Sequence, residues 1–197
     1  TDQVYGSAAL LDISGDGTDD VVIGGRGTNF MALDGKNGNL LWQYKAVFDN
    51  DPILKYARFN FNSSVLVPDQ NNDGLADILT VNGGNSLAIP GSGNDRFPGV
   101  LMLFDAKKGT IIAADTMPDG GESYMTPLCF HQPGENDPTI IFGSGGETIG
   151  GNLYQTKLSA LMRKDIRSAK VIASESGHGF VATPSVADIN DDGYFDV

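Results

Sequence analysis

The chain has 197 residues, of which 40% are hydrophobic, and its formal net charge at pH 7 is −12. This apolar content suffices for a folded core, whereas the acidity argues against nucleic acid or an anionic membrane surface as a partner. No stretch approaches the length of a membrane-spanning helix, and the single cysteine, Cys129, excludes an internal disulfide framework.

The first pattern along the chain is DISGDGTDD at residues 12–20, which returns as DQNNDGLAD at 69–77 and DINDDGYFD at 188–196. Each copy has an oxygen-bearing side chain at positions one, three, five and nine, and glycine at position six. Calcium takes about six to eight oxygen ligands, so closely spaced carboxylates around a sharp turn suit it. We therefore predict about three Ca²⁺ sites, with position seven contributing its backbone carbonyl. The predicted ligands are Asp12, Ser14, Asp16, Thr18 and Asp20; Asp69, Asn71, Asp73, Leu75 and Asp77; and Asp188, Asn190, Asp192, Tyr194 and Asp196.

These loops differ from EF-hands, which require an acid at position twelve and a helix on each side. Position twelve is Ile23 in the first copy and Thr80 in the second, and short β-branched runs follow both loops. Each loop is thus predicted to join two strands. An ordinary turn stabilised by its own Asp and Asn side chains is the alternative for any one copy, but three copies in one register favour metal binding.

The spacing of the copies indicates a repeat of about sixty residues. The first two loops begin 57 residues apart and the last begins 119 residues later, which predicts a further copy between them. That copy begins at His131 and has Pro133, Glu135 and Thr139 at the remaining ligand positions, so we expect it to have lost its metal. The predicted units are residues 4–57, 58–121, 122–178 and the start of a fourth, 179–197.

Each unit is predicted to contain four short strands joined by tight turns. In the first unit these are VYGSAALL, DVVIGG, NFMALDG and LLWQYKAV, and in the third LSALMRKDIRSA is expected to form a short helix before the last strand. Recurring four-stranded units are typical of β-propellers. The predicted fold is therefore all-β, a β-propeller of four-stranded blades, with about three and a half blades in this chain.

Both halves of the first unit resemble known propeller repeats. The loop, its hydrophobic strand and the following glycine pair resemble the FG-GAP or VCBS repeat of integrin alpha-chain propellers, a resemblance that implies calcium binding. The outer half, ALDGKNGNLLW, resembles the tryptophan-docking motif of quinoprotein (PQQ-type) propellers through Ala32, Asp34, Asn37, Gly38 and Trp42. In the second unit Asp105, Gly109 and Ala113 fill the equivalent places.

Three complete units cannot close a ring, because propellers typically have four to eight blades. We expect the remainder of the propeller to come from the same chain, of which these residues would be a part, or from another chain. The residues after the glycine pairs, Arg26, Asn85 and Glu147, are expected to share one face at the channel mouth and to form a ligand face. The alternative is that these three are solvated turn residues. The neighbouring Tyr124, Met125 and Phe180 could line the same opening, and for them the alternative is packing in the core.

The predicted function is a calcium-binding scaffold for a protein or glycan ligand, extracellular, at the cell surface or in the periplasm, because such loops fill at extracellular calcium levels. One alternative is an enzyme, quinoprotein-like or carbohydrate-active. PQQ dehydrogenases of the resembling family use an adjacent cysteine pair, which Cys129 alone cannot supply, and no catalytic residue is predicted. Another alternative is an architectural subunit of a larger secreted assembly.

Overall fold

The computed structural model describes residues 3–4, 6–27, 29–46, 49–85, 87–89 and 92–197. Twelve strands in these residues form three four-stranded antiparallel sheets. Sheet 1 contains β1 (Ala9–Leu11), β2 (Asp20–Gly24), β3 (Phe30–Leu33) and β4 (Leu40–Gln43); sheet 2 contains β5 (Val65–Val67), β6 (Asp77–Asn82), β7 (Val100–Asp105) and β8 (Thr110–Thr116); sheet 3 contains β9 (Leu128–Phe130), β10 (Thr139–Gly143), β11 (Gly151–Lys157) and β12 (Lys170–Glu175).

Every sheet is a meander in which each strand pairs with the next along the chain. This confirms the prediction of an all-β chain with four strands in each of three units. The first strand of sheet 1 is shorter than the predicted VYGSAALL, since it begins at Ala9. The backbone before it instead packs on the second unit, where the Ser7 N–H donates to Ser63 Oγ at 2.7 Å. Tyr5 in the predicted first strand, Val47 in the predicted fourth strand, and Ser86, Pro90 and Gly91 in the loop before β7 lie outside the described residues.

Sheet 2 lies between the other two sheets and is covered on both faces. All six residues of β6 and all six of β7 are buried. Because side chains alternate across a strand, Ile78, Met102 and Phe104 enter the core with sheet 1, whereas Leu79 and Leu103 enter the core with sheet 3. The continuous apolar run VLMLFD of β7 is thus explained by burial on two sides.

An aromatic cluster fills the core between sheets 1 and 2. The ring centroid of Phe30 lies 4.9 Å from that of Phe104 and 5.2 Å from that of Phe61. The Tyr44 ring meets both Phe61 and Phe104 edge-on, with centroids 5.4 Å apart in each case. The Phe30–Phe61 rings are stacked and the other pairs are tilted or edge-on, and such aromatic pairs add to the free energy gained from burial itself.

Trp42 on β4 links sheet 1 to the turn between β7 and β8. Its indole Nε1–H donates to the backbone oxygen of Ala106 at 2.7 Å, and the side chain is buried. A Cβ on Gly109, whose φ is +66°, would lie 2.5 Å from the indole ring. Only glycine therefore allows both this backbone conformation and the close approach of the tryptophan.

The contact between sheets 2 and 3 uses a helix instead. Ala113 stands in β8 where Trp42 stands in β4, and the predicted helix of the third unit is confirmed as α1 (Leu158–Met162), followed by a 3₁₀ turn at Ile166–Ser168. Leu158, Leu161 and Ile166 are buried in one cluster with Ala113. The Ile166 N–H also donates to the buried carboxylate of Asp115 at 3.2 Å.

The fourth unit contributes one short hairpin. Ala187 and Asp196 form an antiparallel bridge, with N–H···O distances of 3.2 and 2.7 Å. Within the described residues there is no helix that is long and apolar enough to cross a membrane.

Candidate calcium-binding hairpins

The three predicted calcium loops occupy the same place in the fold. Loop 1 (residues 12–20) connects β1 to β2, loop 2 (69–77) connects β5 to β6, and loop 4 (188–196) lies within the hairpin closed by the Ala187–Asp196 bridge. Helices flank none of them, as the sequence predicted.

The three loops share one pattern of internal hydrogen bonds. The carboxylate at position one accepts from the N–H of the glycine at position six, at 2.9, 2.8 and 2.9 Å in loops 1, 2 and 4. The carboxylate at position five accepts from the N–H of position seven at 2.9, 3.0 and 2.9 Å. The carboxylate at position nine reaches back to the N–H of position two at 2.8, 2.7 and 3.0 Å. The repeat in sequence is therefore also a repeat in geometry.

Glycine at position six is required by the backbone rather than by crowding. The φ angles of Gly17, Gly74 and Gly193 are +84°, +85° and +86°. A Cβ built on any of the three would meet nothing within 4 Å. The left-handed conformation alone selects glycine, and it turns the peptide N–H of this residue towards the first carboxylate.

The carboxylate at position nine lies at the base of each loop, and its surroundings differ between sheets. Asp20 is fully buried. Burial alone would raise the pKa of Asp20, but N–H donors from Gly35, Ser14 and Ile13 outweigh it and lower that pKa. Asp77 is also buried.

In loop 2 the pKa of the position-nine carboxylate is raised rather than lowered. Burial, together with the negative charges of Asp69, Asp105 and Asp73, raises the pKa of Asp77 to about 6, against the single N–H donated by Gln70. Asp69 itself has a lowered pKa, chiefly because the Gly74 N–H donates to it. Asp69, Asp73 and Asp105 therefore lie near enough to Asp77 for their charges to affect its pKa.

Position three has an accepting side chain in loops 2 and 4 and a donating one in loop 1. Asn71 Oδ1 accepts from the Asp73 N–H at 2.9 Å, and Asn190 Oδ1 accepts from the Asp192 N–H at 3.0 Å. In loop 1 the Ser14 hydroxyl donates to Asp12 at 3.4 Å. The residues at position seven are Thr18, Leu75 and Tyr194, and the backbone N–H of each donates to the position-five carboxylate.

The oxygen donors of the three loops are not arranged around a common centre in this structure. Across the part of the chain that the structure describes, no group of three or more Asp, Glu, His or Cys side chains is arranged so that it could hold a metal ion. The carboxylates face peptide N–H groups instead. Their chemistry still fits calcium, because every side-chain donor is a hard oxygen and a carboxylate oxygen that accepts one N–H keeps a further lone pair. Binding therefore requires the side chains at positions one, three and five to turn towards a common centre.

The predicted ligand face is less clearly formed. Arg26 Nη1 donates to the Gln3 side chain at 3.3 Å, and the Asn85 side chain bonds to its own loop through Asp95 and Leu87. The Glu147 carbonyl oxygen lies 2.5 Å from His178 Nδ1. Among the described residues, no hydrogen bond or ion pair joins two of the three predicted residues. Met125 is fully buried with Ile141 and Leu153, and Phe180 packs on them, as the core-packing alternative holds.

A buried ion pair near this face was missed by the sequence analysis. Arg96 Nη1 lies 3.0 Å from each carboxylate oxygen of Glu122, whose side chain is 2% exposed. The Tyr124 hydroxyl donates to Glu122 Oε2 at 3.0 Å. Burial, followed by the charge of Glu122, raises the pKa of Tyr124 to about 12. Arg96 lies in the loop before β7, where neither strand periodicity nor loop spacing indicates its partner.

A polar cleft of about 620 Å³ opens beside sheet 3. Its lining is Asp119, Gly150, Gly151, Asn152, Ser174, Glu175 and Ser176. The Asn152 amide donates to Asp119 at 2.8 Å and accepts from the Ser174 hydroxyl at 2.7 Å. Burial would raise the pKa of Asp119, but hydrogen bonds from Ser144, Gly121 and Asn152 lower it overall. The cleft is therefore lined by hydroxyl, amide and ionised carboxylate groups.

No family model and no curated protein matches this sequence. Among solved structures, the chain is similar to the crystal structure of the rhamnogalacturonan lyase YesW, with a TM-score of 0.46 and 16% sequence identity. The similarity covers 98% of this chain and 39% of the lyase chain, so this chain spans less than half the length of that protein. Similarity at this level assigns neither a family nor an activity.

Proposed function

We propose that the protein is a calcium-stabilised β-propeller that acts outside the cytosol as a scaffold for a protein or glycan ligand. The observation that carries the calcium proposal is the hydrogen-bond pattern that recurs in loops 1, 2 and 4. It fixes carboxylates at positions one, five and nine of each hairpin. In loop 2, burial and the charges of Asp69, Asp105 and Asp73 raise the pKa of Asp77, so the carboxylates there repel one another, and a divalent cation between them would relieve that repulsion.

The propeller proposal is supported by the way in which consecutive sheets pack. Sheet 2 presents one face to sheet 1 and the other to sheet 3, and the first strands of sheets 2 and 3, β5 and β9, are in contact. Radial packing of four-stranded meanders about their first strands is the propeller arrangement. The ring would be completed by further blades from the same chain or another chain.

The ligand proposal is supported by the polar cleft beside sheet 3. Its Asn152 amide, Ser174 hydroxyl and Asp119 carboxylate provide both hydrogen-bond donors and acceptors. A small number of placed polar groups is what gives a binding site its orientation and specificity. A hydroxyl-rich ligand such as a glycan suits this lining, and binding to an array of glycans should fall in an Asn152→Ala variant.

Calcium binding is tested by titrating the chelator-treated protein. We expect about three ions per chain, with dissociation constants on the order of 10⁻⁴–10⁻³ M. At millimolar calcium each site then adds about 0.4–1.4 kcal/mol by mass action, so three sites raise the melting temperature by about 2–17 °C relative to excess EDTA. No heat of binding at millimolar calcium, together with an identical melt in EDTA, would contradict the proposal.

Two variants in loop 1 sharpen the test. Asp16→Asn removes the position-five carboxylate, whose pKa is lowered chiefly by the Thr18 N–H, and should reduce the stoichiometry from about three ions to two. Asp19→Asn makes the same charge change at position eight, which is outside the ligand series, and should leave the stoichiometry unchanged. Equal losses in the two variants would indicate a nonspecific effect of charge.

A further inference from the structure

The third hairpin, loop 3 (residues 131–139), joins β9 to β10 and occupies the place of the proposed calcium loops, but it has a carboxylate at only one of the side-chain ligand positions. Its ligand positions one, three, five and nine are His131, Pro133, Glu135 and Thr139. A single acid cannot bind calcium in this way, so the residues do not fit the ion. The hairpin is nevertheless formed, with Thr139 paired to Phe130.

The ammonium group of Lys157, on β11, lies among the atoms that correspond to calcium ligands in the other loops. Its Nζ donates to Thr139 Oγ1 at 2.9 Å and lies 3.5 Å from the Asp137 carbonyl oxygen. It also forms an ion pair with the Glu135 carboxylate. These atoms belong to loop positions nine, seven and five, each of which is a predicted ligand position in loops 1, 2 and 4.

Strand register gives an independent observation. Thr139 on β10 is paired with Lys157 on β11. In sheet 2 the pairing of Ile78 with Phe104 places Asp77 opposite Asp105. In sheet 1 the pairing of Val21 with Leu33 likewise places Asp20 opposite Asp34.

The same cross-strand position thus has two carboxylates in sheets 1 and 2, but a hydroxyl and an ammonium in sheet 3. Facing like charges destabilise a strand pair, whereas an ammonium group supplies a positive charge and three donors. In sheet 3 a positive charge thus replaces a negative one on the strand opposite loop position nine, and the same loop has no carboxylate at positions one and nine.

We propose that the Lys157 ammonium takes the place of the divalent cation in loop 3, so that this hairpin is held closed without calcium. The comparison with the other hairpins rests on the proposed calcium binding, but the lysine contacts stand without it. Calcium removal should therefore loosen loops 1, 2 and 4 and leave loop 3 closed.

The test is amide hydrogen exchange of the full chain, followed by mass spectrometry, in calcium and in EDTA. In the unmodified protein, exchange in loops 1, 2 and 4 should accelerate in EDTA while exchange in residues 131–138 stays the same. A Lys157→Met variant should accelerate exchange in residues 131–138 equally in both buffers and lower the melting temperature by about 2–4 °C. Lys157→Arg should restore most of the protection, because it keeps the charge.

The matched control is Lys170→Met, which removes an exposed lysine from the same sheet and should leave residues 131–138 unchanged. The proposal is overturned if Lys157→Met leaves exchange in loop 3 as it was, or if loop 3 of the unmodified protein opens in EDTA as readily as loops 1 and 2. If exchange in loops 1, 2 and 4 is the same in calcium and in EDTA while Lys157→Met accelerates exchange in loop 3, the lysine contact is supported and the proposed calcium binding is overturned.

Discussion

Replacing Trp42 with alanine should be among the most destabilising single changes in this protein. The side chain is 9% exposed, packs on Phe30 at a centroid distance of 5.8 Å, and donates its N–H to Ala106. Removing a buried tryptophan leaves a cavity and costs about 3–5 kcal/mol. For a chain of this size that corresponds to a melting temperature lower by about 6–20 °C.

The contributions of the ring and of its hydrogen bond can be separated. Trp42→Phe keeps an aromatic ring but removes the indole donor, so the Ala106 carbonyl loses that partner at a cost of about 1 kcal/mol. Thermal and urea unfolding followed by circular dichroism measure both variants. Leu40→Ala is the control, because Leu40 lies on the same strand but is 55% exposed, and its cost should stay within about 0.5 kcal/mol. A Trp42→Ala cost below about 1 kcal/mol would refute the reasoning that this indole joins sheets 1 and 2.

Three further predictions concern single side chains. Gly109→Ala should cost about 1–3 kcal/mol in urea unfolding, because its Cβ would meet the Trp42 ring and its φ is positive; an unchanged midpoint would contradict this contact. Burial would raise the pKa of Asp119, but hydrogen bonds from Ser144 and its neighbours lower it overall. The resulting stabilisation is present above the ordinary pKa of 3.8 and is lost as the pH falls through the lowered pKa. Asp119→Asn should flatten that acid-side loss in urea melts, and an equally steep loss in the variant would count against the network. Burial and the charge of Asp137 raise the pKa of Cys129 from 9.0 to about 11. The native thiol should therefore react with iodoacetamide at pH 8 about 100-fold more slowly than the thiol of the unfolded chain. Equal rates measured by mass spectrometry would contradict this.

The elements predicted correctly from the sequence are those whose determinants are local. A glycine that needs a positive φ, with aspartates before and after it, specifies a strand–loop–strand hairpin within nine residues. That is why loops 1, 2 and 4 occupy the predicted positions. The degenerate loop 3 is instead predicted from the spacing of the copies and from the alignment of TIIFGSGGE with the strands that follow the other loops. The short helix α1 likewise lies within LSALMRKDIRSA, the segment for which the sequence predicts a short helix.

The features that could not be predicted depend on register and on distant partners. Lys157 reaches Thr139 because of strand pairing across 18 residues, and the spacing of the loop residues carries no sign of this. The acceptor for Trp42 lies 64 residues along the chain, and Arg96 finds Glu122 from an irregular loop. Arg26, Asn85 and Glu147 follow equivalent glycine pairs, but the side chains of Arg26 and Asn85 bond to unrelated partners, Gln3 and Asp95.

The unlike contacts on the two sides of sheet 2 have a consequence for the order of the units. An indole bridges sheets 1 and 2, whereas α1 and Ile166 fill the space beside Ala113 between sheets 2 and 3. Each sheet surface is thus shaped for one neighbour, and a chain with its units shuffled would place the indole against a helix or leave a void beside Ala113. Although the units share one sequence pattern, they are not interchangeable, because the contacts between neighbouring sheets fit only one order of the units along the chain.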